Sequence, residues 1–366
     1  MQYLLVKLDR LNATKASWEV LLALTAACRR HGPLHATAVL TFVLAMIVGA
    51  RTGNRPDAGV VGDYVFYIAA AIWACGSVYA IYRILWLATV KRDPSPLRAF
   101  VRPFAAYLSN VERFANTLNG LGAVMLFIAG FSVLKGAIAL LVPFSWDVAL
   151  AETDRILHFG RAPHEWLGWL TQWPAALFAL NFSYHLWFVV LVGTLFTAAM
   201  SGRDTILRHQ FLLSFMLIWL IGGFLVALGF SSAGPCYYQR LGLGTSYQSL
   251  MEALAIADRD YPLWALSTQE MLWKGFTGAG SGSIGISAFP SMHVASATLF
   301  ALYASRRNPA AGGALWLFAA VIMTGSVVLG WHYAVDGYAG ALIALLLWKT
   351  VGFVATRRPP LGLSEQ

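Results

Sequence analysis

The sequence predicts an all-α protein, a polytopic membrane helical bundle of about eight transmembrane helices. Three observations lead there. Of 366 residues, 58% are hydrophobic and only 12% are charged, against about 25% charged in soluble domains. Apolar runs of roughly 20 residues, long enough to cross a hydrocarbon core, recur along the chain. Basic residues gather in alternate connecting segments. The net charge of +9 is therefore read as membrane topology and not as a nucleic-acid footprint.

The first residues, Met1 to Lys15, mix charge with short apolar pieces, and no small-residue cleavage site follows. No cleavable signal peptide is expected. Trp18 to Cys28 is apolar but too short to span, and it is expected to be an interfacial helix. Eight spans follow at about 34–50, 64–90, 120–142, 176–200, 210–230, 288–305, 312–331 and 336–355. An even number puts both termini on one side. Counting Lys349, at the end of the last span, with the tail, that side carries 17 Lys and Arg and the opposite side 7, with Arg83 and Lys135 inside spans. The bias predicts cytoplasmic termini. Absence of an organelle signal and short loops point to a bacterial inner membrane.

Two loops on the outer side are long. Residues 143–175 hold Trp146, Trp166, Trp169 and Trp173 among Asp147, Asp154, Arg155 and Arg161, which predicts an amphipathic segment on the membrane surface. Residues 231–287 end in the run Gly275 to Ser283, which reads either as a flexible linker or as a mobile lid. It lacks the Walker lysine pattern. Inside, Lys91, Arg92 and the stretch Arg98 to Arg113 form a basic connector that anchors on anionic lipid. Cys28, Cys75 and Cys236 share no metal-type spacing, and topology separates them, so neither a metal site nor an internal disulfide is expected. No internal repeat and no soluble domain is evident.

The chemistry lies near the C-terminus. Phe289-Pro290-Ser291-Met292-His293 opens one apolar stretch, and Gly330-Trp331-His332-Tyr333-Ala334-Val335-Asp336 joins two others. Topology brings both to the outer interface. His332 and Asp336, four apart, share a helix face. The carboxylate can fix one ring nitrogen and leave the other free to attack. Pro290 and Ser291 suit a helix start whose amides and hydroxyl face an anion. His293 can protonate a leaving oxygen. Alone, each motif also reads as a structural cap. Together, ionisable groups at membrane depth point to function.

These residues resemble the second and third motifs of the PAP2 (type 2 phosphatidic acid phosphatase) superfamily. They look more like its inositol phosphorylceramide synthase and sphingomyelin synthase branch, with its Phe-Pro-Ser-x-His and His-Tyr-x-x-Asp. The segment Asp154-Arg155-Ile156-Leu157-His158-Phe159-Gly160 is similar to an outer loop of that branch. The resemblance implies a core of six helices, here preceded by two more. It implies His332 as a nucleophile forming phosphohistidine, Asp336 as its orienting carboxylate and His293 as general acid, with no metal or other cofactor. On that basis the chain divides into a cytoplasmic or interfacial segment (1–33), two extra spans with the basic connector (34–118), a catalytic membrane domain (119–356) and a tail (357–366).

The chain departs from the phosphatase branch. A Lys-x6-Arg-Pro first motif is not evident, and Gly325-Ser326 stands where that branch has Ser-Arg. The cation that replaces this arginine is sought among Arg240 and Lys274. Tyr238 belongs to the same proline-aromatic stretch, Gly234 to Arg240, which also reads as an interfacial belt with a snorkelling arginine. Ser291 and His185 are further candidate substrate contacts, although a satisfied buried histidine is the more ordinary reading of His185. His158 and His164 are expected at the surface. Arg83 and Lys135 are expected to snorkel or to pair within the bundle.

The expected activity is transfer of a phosphoryl or phospho-alcohol headgroup from a phospholipid donor to a lipid alcohol such as ceramide or a glycerolipid. Giving the same intermediate to water makes a lipid phosphate or prenyl diphosphate phosphatase. A non-catalytic lipid transporter is the third reading, and it leaves the His/His/Asp set without a purpose.

Overall fold

The computed structural model describes residues 18–54, 58–202, 205–279 and 285–357. Met1 to Lys15, Gly280 to Ser283 and the tail from 358 lie outside the described residues. Helix α1 covers residues 18–30. It is followed by α2 (Gly32–Thr52), α3 (Ala58–Thr89), α4 (Pro96–Leu108) and α5 (Val111–Leu141). Three short helices come next: α6 (Asp147–Leu157), α7 (Pro163–Trp166) and α8 (Gly168–Thr171). Then follow α9 (Pro174–Ala199) and α10 (Ile206–Gly229). After α11 (Gln248–Ala257) and α12 (Trp264–Phe276) come α13 (Met292–Arg307), α14 (Pro309–Val328) and α15 (Ala334–Arg357). No strand occurs among the described residues. The protein is an all-α helical bundle.

Six helices are long and apolar enough to cross a membrane: α2, α5, α9, α10, α14 and α15. They make this an integral membrane protein. The sequence predicts eight spans. The other two correspond to α3, a helix of 32 residues, and to α13, of only 16. Helix α13 is buried nearly all round, which marks a core element, not a lipid-facing one. It packs against α14, α15, α10 and α9. Phe300, Leu299 and Ala297 fill the centre with Phe211 and Leu212 of α10 and Trp187 of α9.

Local chemistry sets the helix ends. The Asn110 side chain accepts from the Arg113 amide at the start of α5, and Asn308 accepts from Ala310 and Ala311 at the start of α14, both N-cap bonds to otherwise orphaned donors. Pro174 and Pro309 open α9 and α14, where a missing N–H costs nothing. Part of α10, Ile218–Val226, is wound as a π-helix.

The two long connecting segments hold helices among their described residues. Residues 231–287 hold α11 and α12, so only the end of this segment carries the glycine run. In the 143–175 loop, Trp166, Trp169 and Trp173 are exposed, as an amphipathic segment requires. Asp147 and Asp154, however, lie on the buried face of α6 with Leu150 and Ala151. His164 is also buried, its ring 4.8 Å from that of Tyr247. Its expected surface position is corrected. Tyr247 supplies an aromatic wall that the local sequence does not reveal.

Candidate active site

Ser291 caps α13. Its Oγ accepts from the Val294 amide at 3.4 Å and its own amide donates to the Asp336 carbonyl at 2.9 Å. The two motifs are thereby joined through the backbone. A close approach permits this: a Cβ on Gly340 would lie 2.4 Å from the Ser291 carbonyl oxygen. Only glycine lets α15 come so near, as small residues do where membrane helices touch.

His332 lies in the turn between α14 and α15. Its amide and that of Trp331 both donate to the Ser326 carbonyl at 3.0 Å. The residue that stands where phosphatases have arginine therefore folds the histidine turn. His332 Nδ1 is 3.2 Å from Asp336 Oδ2, and the Tyr333 amide donates to that same oxygen at 3.1 Å. His332 is 8% exposed and Asp336 0%. With a carboxylate at Nδ1, the ring proton sits there and Nε2 keeps its lone pair. Burial pushes the His332 imidazole down to about 3, Lys135 pushes the same way, and the Ala288 carbonyl opposes them. The ring is neutral at physiological pH, the form in which an imidazole nitrogen can attack.

His293 sits between two rings of α9. Its centroid is 4.3 Å from that of Tyr184, nearly parallel, and 4.2 Å from that of Trp187. Tyr184 also stacks on Trp331. His332, His185 and Lys135 lie within electrostatic reach of His293. His185 places Nδ1 2.8 Å from the Asn181 carbonyl and turns its ring toward Trp264. It is part-buried and sits at the edge of the histidine group.

The remaining predicted contacts are placed elsewhere. Arg240 donates to Glu270 at 2.7 Å, and Lys274 lies 3.8 Å from the other oxygen of that carboxylate. Both are exposed, and Arg240 also covers the Trp273 ring. Glu270 is held below the ordinary carboxylate range by its hydrogen bond with Arg240. Tyr238 is buried against Tyr247. None of these three joins the groups that act on the histidines. Ser291 reaches the site, but its hydroxyl is taken up in the cap.

The cation that does join them is Lys135 of α5. It is part-buried and its Nζ donates to the Ser287 carbonyl at 3.1 Å. It acts on both His293 and His332, and no ion pair of Lys135 is found among the described residues. Lys135 is thus tied within the bundle, as the sequence suggests, and its charge also reaches both histidines. A signal was present: Lys135, six residues, Val142 and Pro143 match Lys-x6-Arg-Pro except for valine at the arginine.

The loop around the site is tightly knit. The Ser232 carbonyl and hydroxyl accept from Ala288 and Phe289, and the Cys236 amide donates to the Gly330 carbonyl. Gly234 has φ +101, and a Cβ there would lie 2.6 Å from the Trp331 carbonyl oxygen. The residue must be glycine both for its backbone angle and for space. No group of His, Cys, Asp and Glu that could hold a metal ion occurs among the described residues.

A family model of the PAP2 superfamily matches residues 148–350. No curated protein matches the chain, and no solved structure does. The matched residues span α6 to α15 and include His293, His332 and Asp336, and the chain belongs to the PAP2 superfamily, whose members are generally phosphatases and phosphotransferases.

Proposed function

We propose that this protein is a membrane lipid phosphotransferase that moves a phospho-alcohol headgroup from a phospholipid to a lipid alcohol through phosphohistidine at His332. The observation that carries this reading is the charge of the site. Lys135 is the one lysine or arginine acting on both histidines among the described residues. Val142 and Ser326 stand at the two positions where the phosphatase pattern has arginine. A phosphate monoester carries about −1.5 to −2 charges at neutral pH, whereas a phosphodiester carries one. A single lysine complements the diester.

The chemistry follows from the geometry. Nε2 of His332 attacks phosphorus, the bond to the diacylglycerol oxygen breaks, and that oxygen takes a proton from His293. The intermediate is a phosphoimidazolium whose positive charge faces Asp336. The acceptor hydroxyl then returns a proton to His293 while its oxygen attacks phosphorus and releases His332. Lys135 holds the non-bridging oxygens throughout. Such transfer depends mainly on positioning and charge stabilisation.

The site lies at the N-terminal end of α13, and Arg306 and Arg307 close its other end, about 20 Å away along the axis. With basic residues inside, the site opens on the extracytoplasmic leaflet of a bacterial inner membrane, where donor and acceptor lipids meet.

The test is incubation of the purified protein in vesicles with a phospholipid labelled in its phosphorus, with His332→Ala as control. Label in a new lipid, absent with the variant, supports the reading. Label released to water, as the phospho-alcohol from a diester donor or as inorganic phosphate from a monoester, overturns it in favour of a hydrolase.

A further inference from the structure

Helix α6 buries two carboxylates that the chemistry above does not use. Asp147 and Asp154 are each 1% exposed, and no ion pair of either is found among the described residues. A carboxylate taken out of water needs donors. Here the donors are four backbone amides and one hydroxyl, three of the five from residues 333–335 beside the nucleophile. Asp147 accepts from the Ala233 amide at 2.9 Å, the Gly234 amide at 2.8 Å and the Tyr333 hydroxyl at 2.9 Å. Asp154 accepts from the Ala334 amide at 2.6 Å and the Val335 amide at 2.8 Å.

Those last two amides belong to the first turn of α15, where N–H groups have no partner within the helix. They are usually capped by the residue just before the helix. That residue is Tyr333, whose side chain has no acceptor close to its backbone and whose hydroxyl donates to Asp147. The cap comes instead from another helix, with a charge that suits the helix dipole. Farther along, His158 of the link after α6 places Nδ1 2.7 Å from the Asp154 carbonyl and Nε2 2.9 Å from the Tyr338 hydroxyl. Helix α6 and this link therefore grip residues 333, 334, 335 and 338, on both sides of Asp336.

We propose that Asp154, with Asp147, is a positioning residue for the nucleophile: it caps α15 from α6 and so fixes the rotation of α15 that holds Asp336 against His332. One residue of helical rotation turns a side chain by about 100°, which would take the Asp336 carboxylate away from Nδ1. Burial pushes the Asp154 carboxyl up and the two amides pull it back, as for a group held by its donors. The inference rests on His332 as the nucleophile.

The experiment uses full-length protein labelled with 15N-histidine, with His332→Ala to assign the resonance. Asp154→Ala, Asp154→Asn and Leu150→Ala are compared, since Leu150 packs on the same face without polar contacts. In the wild type, His332 is expected as a single neutral tautomer protonated at Nδ1. Asp154→Ala is expected to mix its tautomers and to lower kcat by about tenfold or more with KM within about twofold. Asp154→Asn, which keeps one acceptor, falls between. Leu150→Ala lowers the melting temperature but leaves tautomer and kcat unchanged. An unaltered His332 tautomer in Asp154→Ala, or an equal change in Leu150→Ala, overturns the proposal. If the alanine variant does not fold, the asparagine variant is judged by the same criterion. The tautomer readout needs no turnover, so a wild type inactive on every lipid would sink the proposed function and leave this test standing.

Discussion

Asp336 binds His332 and fixes its place through one oxygen: Oδ2 lies 3.2 Å from the imidazole Nδ1 and accepts the neighbouring Tyr333 amide. The carboxylate thus sets ring proton and turn together. Asp336→Asn keeps the shape and loses the charge that selects the tautomer. It is expected to reduce kcat by about a hundredfold or more, with the thermal midpoint little changed. Steady-state kinetics alongside a melting curve checks this, and a kcat within about threefold of wild type would remove Asp336 from the mechanism.

Lys135 is expected to act on donor binding. Lys135→Met should lower kcat/KM by about ten- to a hundredfold, the worth of a charge-assisted contact. Arg240→Met, whose partner is Glu270, should change it less than about threefold. The two variants assayed on one donor decide which cation serves the phosphate.

The depressed value of His332 gives stability a defined pH dependence. The unfolded ring titrates at the ordinary 6.5 and the folded ring near 3. Below 6.5 the unfolded state binds the proton first, so stability falls as pH drops through that window and is intact above it. His332→Gln removes this contribution. Its thermal midpoint should fall less between pH 7 and pH 5 than that of the wild type, measured in the same detergent.

Gly340 tests the joint between the motifs. A Cβ there meets backbone, the Ser291 carbonyl oxygen at 2.4 Å, which has no side-chain freedom with which to yield. Gly340→Ala is expected to cost about 1–3 kcal/mol and to lower kcat by pushing α15 away from the start of α13. Full activity with an unchanged melting curve would show that the two motifs tolerate separation.

The helices were legible because hydropathy reads length and apolarity directly, and the eight predicted spans correspond to α2, α3, α5, α9, α10, α13, α14 and α15. Helix α13 shows the limit: its alanine, serine and threonine content suits contact with other helices, and 16 residues do not announce a span. The histidine motifs were legible because His332 and Asp336 interact within one turn. The reach of Lys135 to the histidines is hidden because a lysine inside an apolar run has an ordinary explanation, and Val142 breaks the pattern. In the sequence Asp147 and Asp154 stand only among the charges of an amphipathic surface segment. Their donors, Ala233 and Ala334, lie 86 and 180 residues away, and no local pattern records such partners. Arg240 likewise finds Glu270 only in the folded chain.

The proposed mechanism turns on a covalent bond between phosphorus and His332. The most direct measurement is rapid quenching of the protein with phosphorus-labelled phospholipid in the absence of acceptor, followed by mapping of the labelled peptide. The label is expected to be lost in acid, to survive base, to map to the peptide holding His332, and to be absent in His332→Ala. Full turnover of label by a His332→Ala protein, or a stable adduct on any other residue, would contradict it.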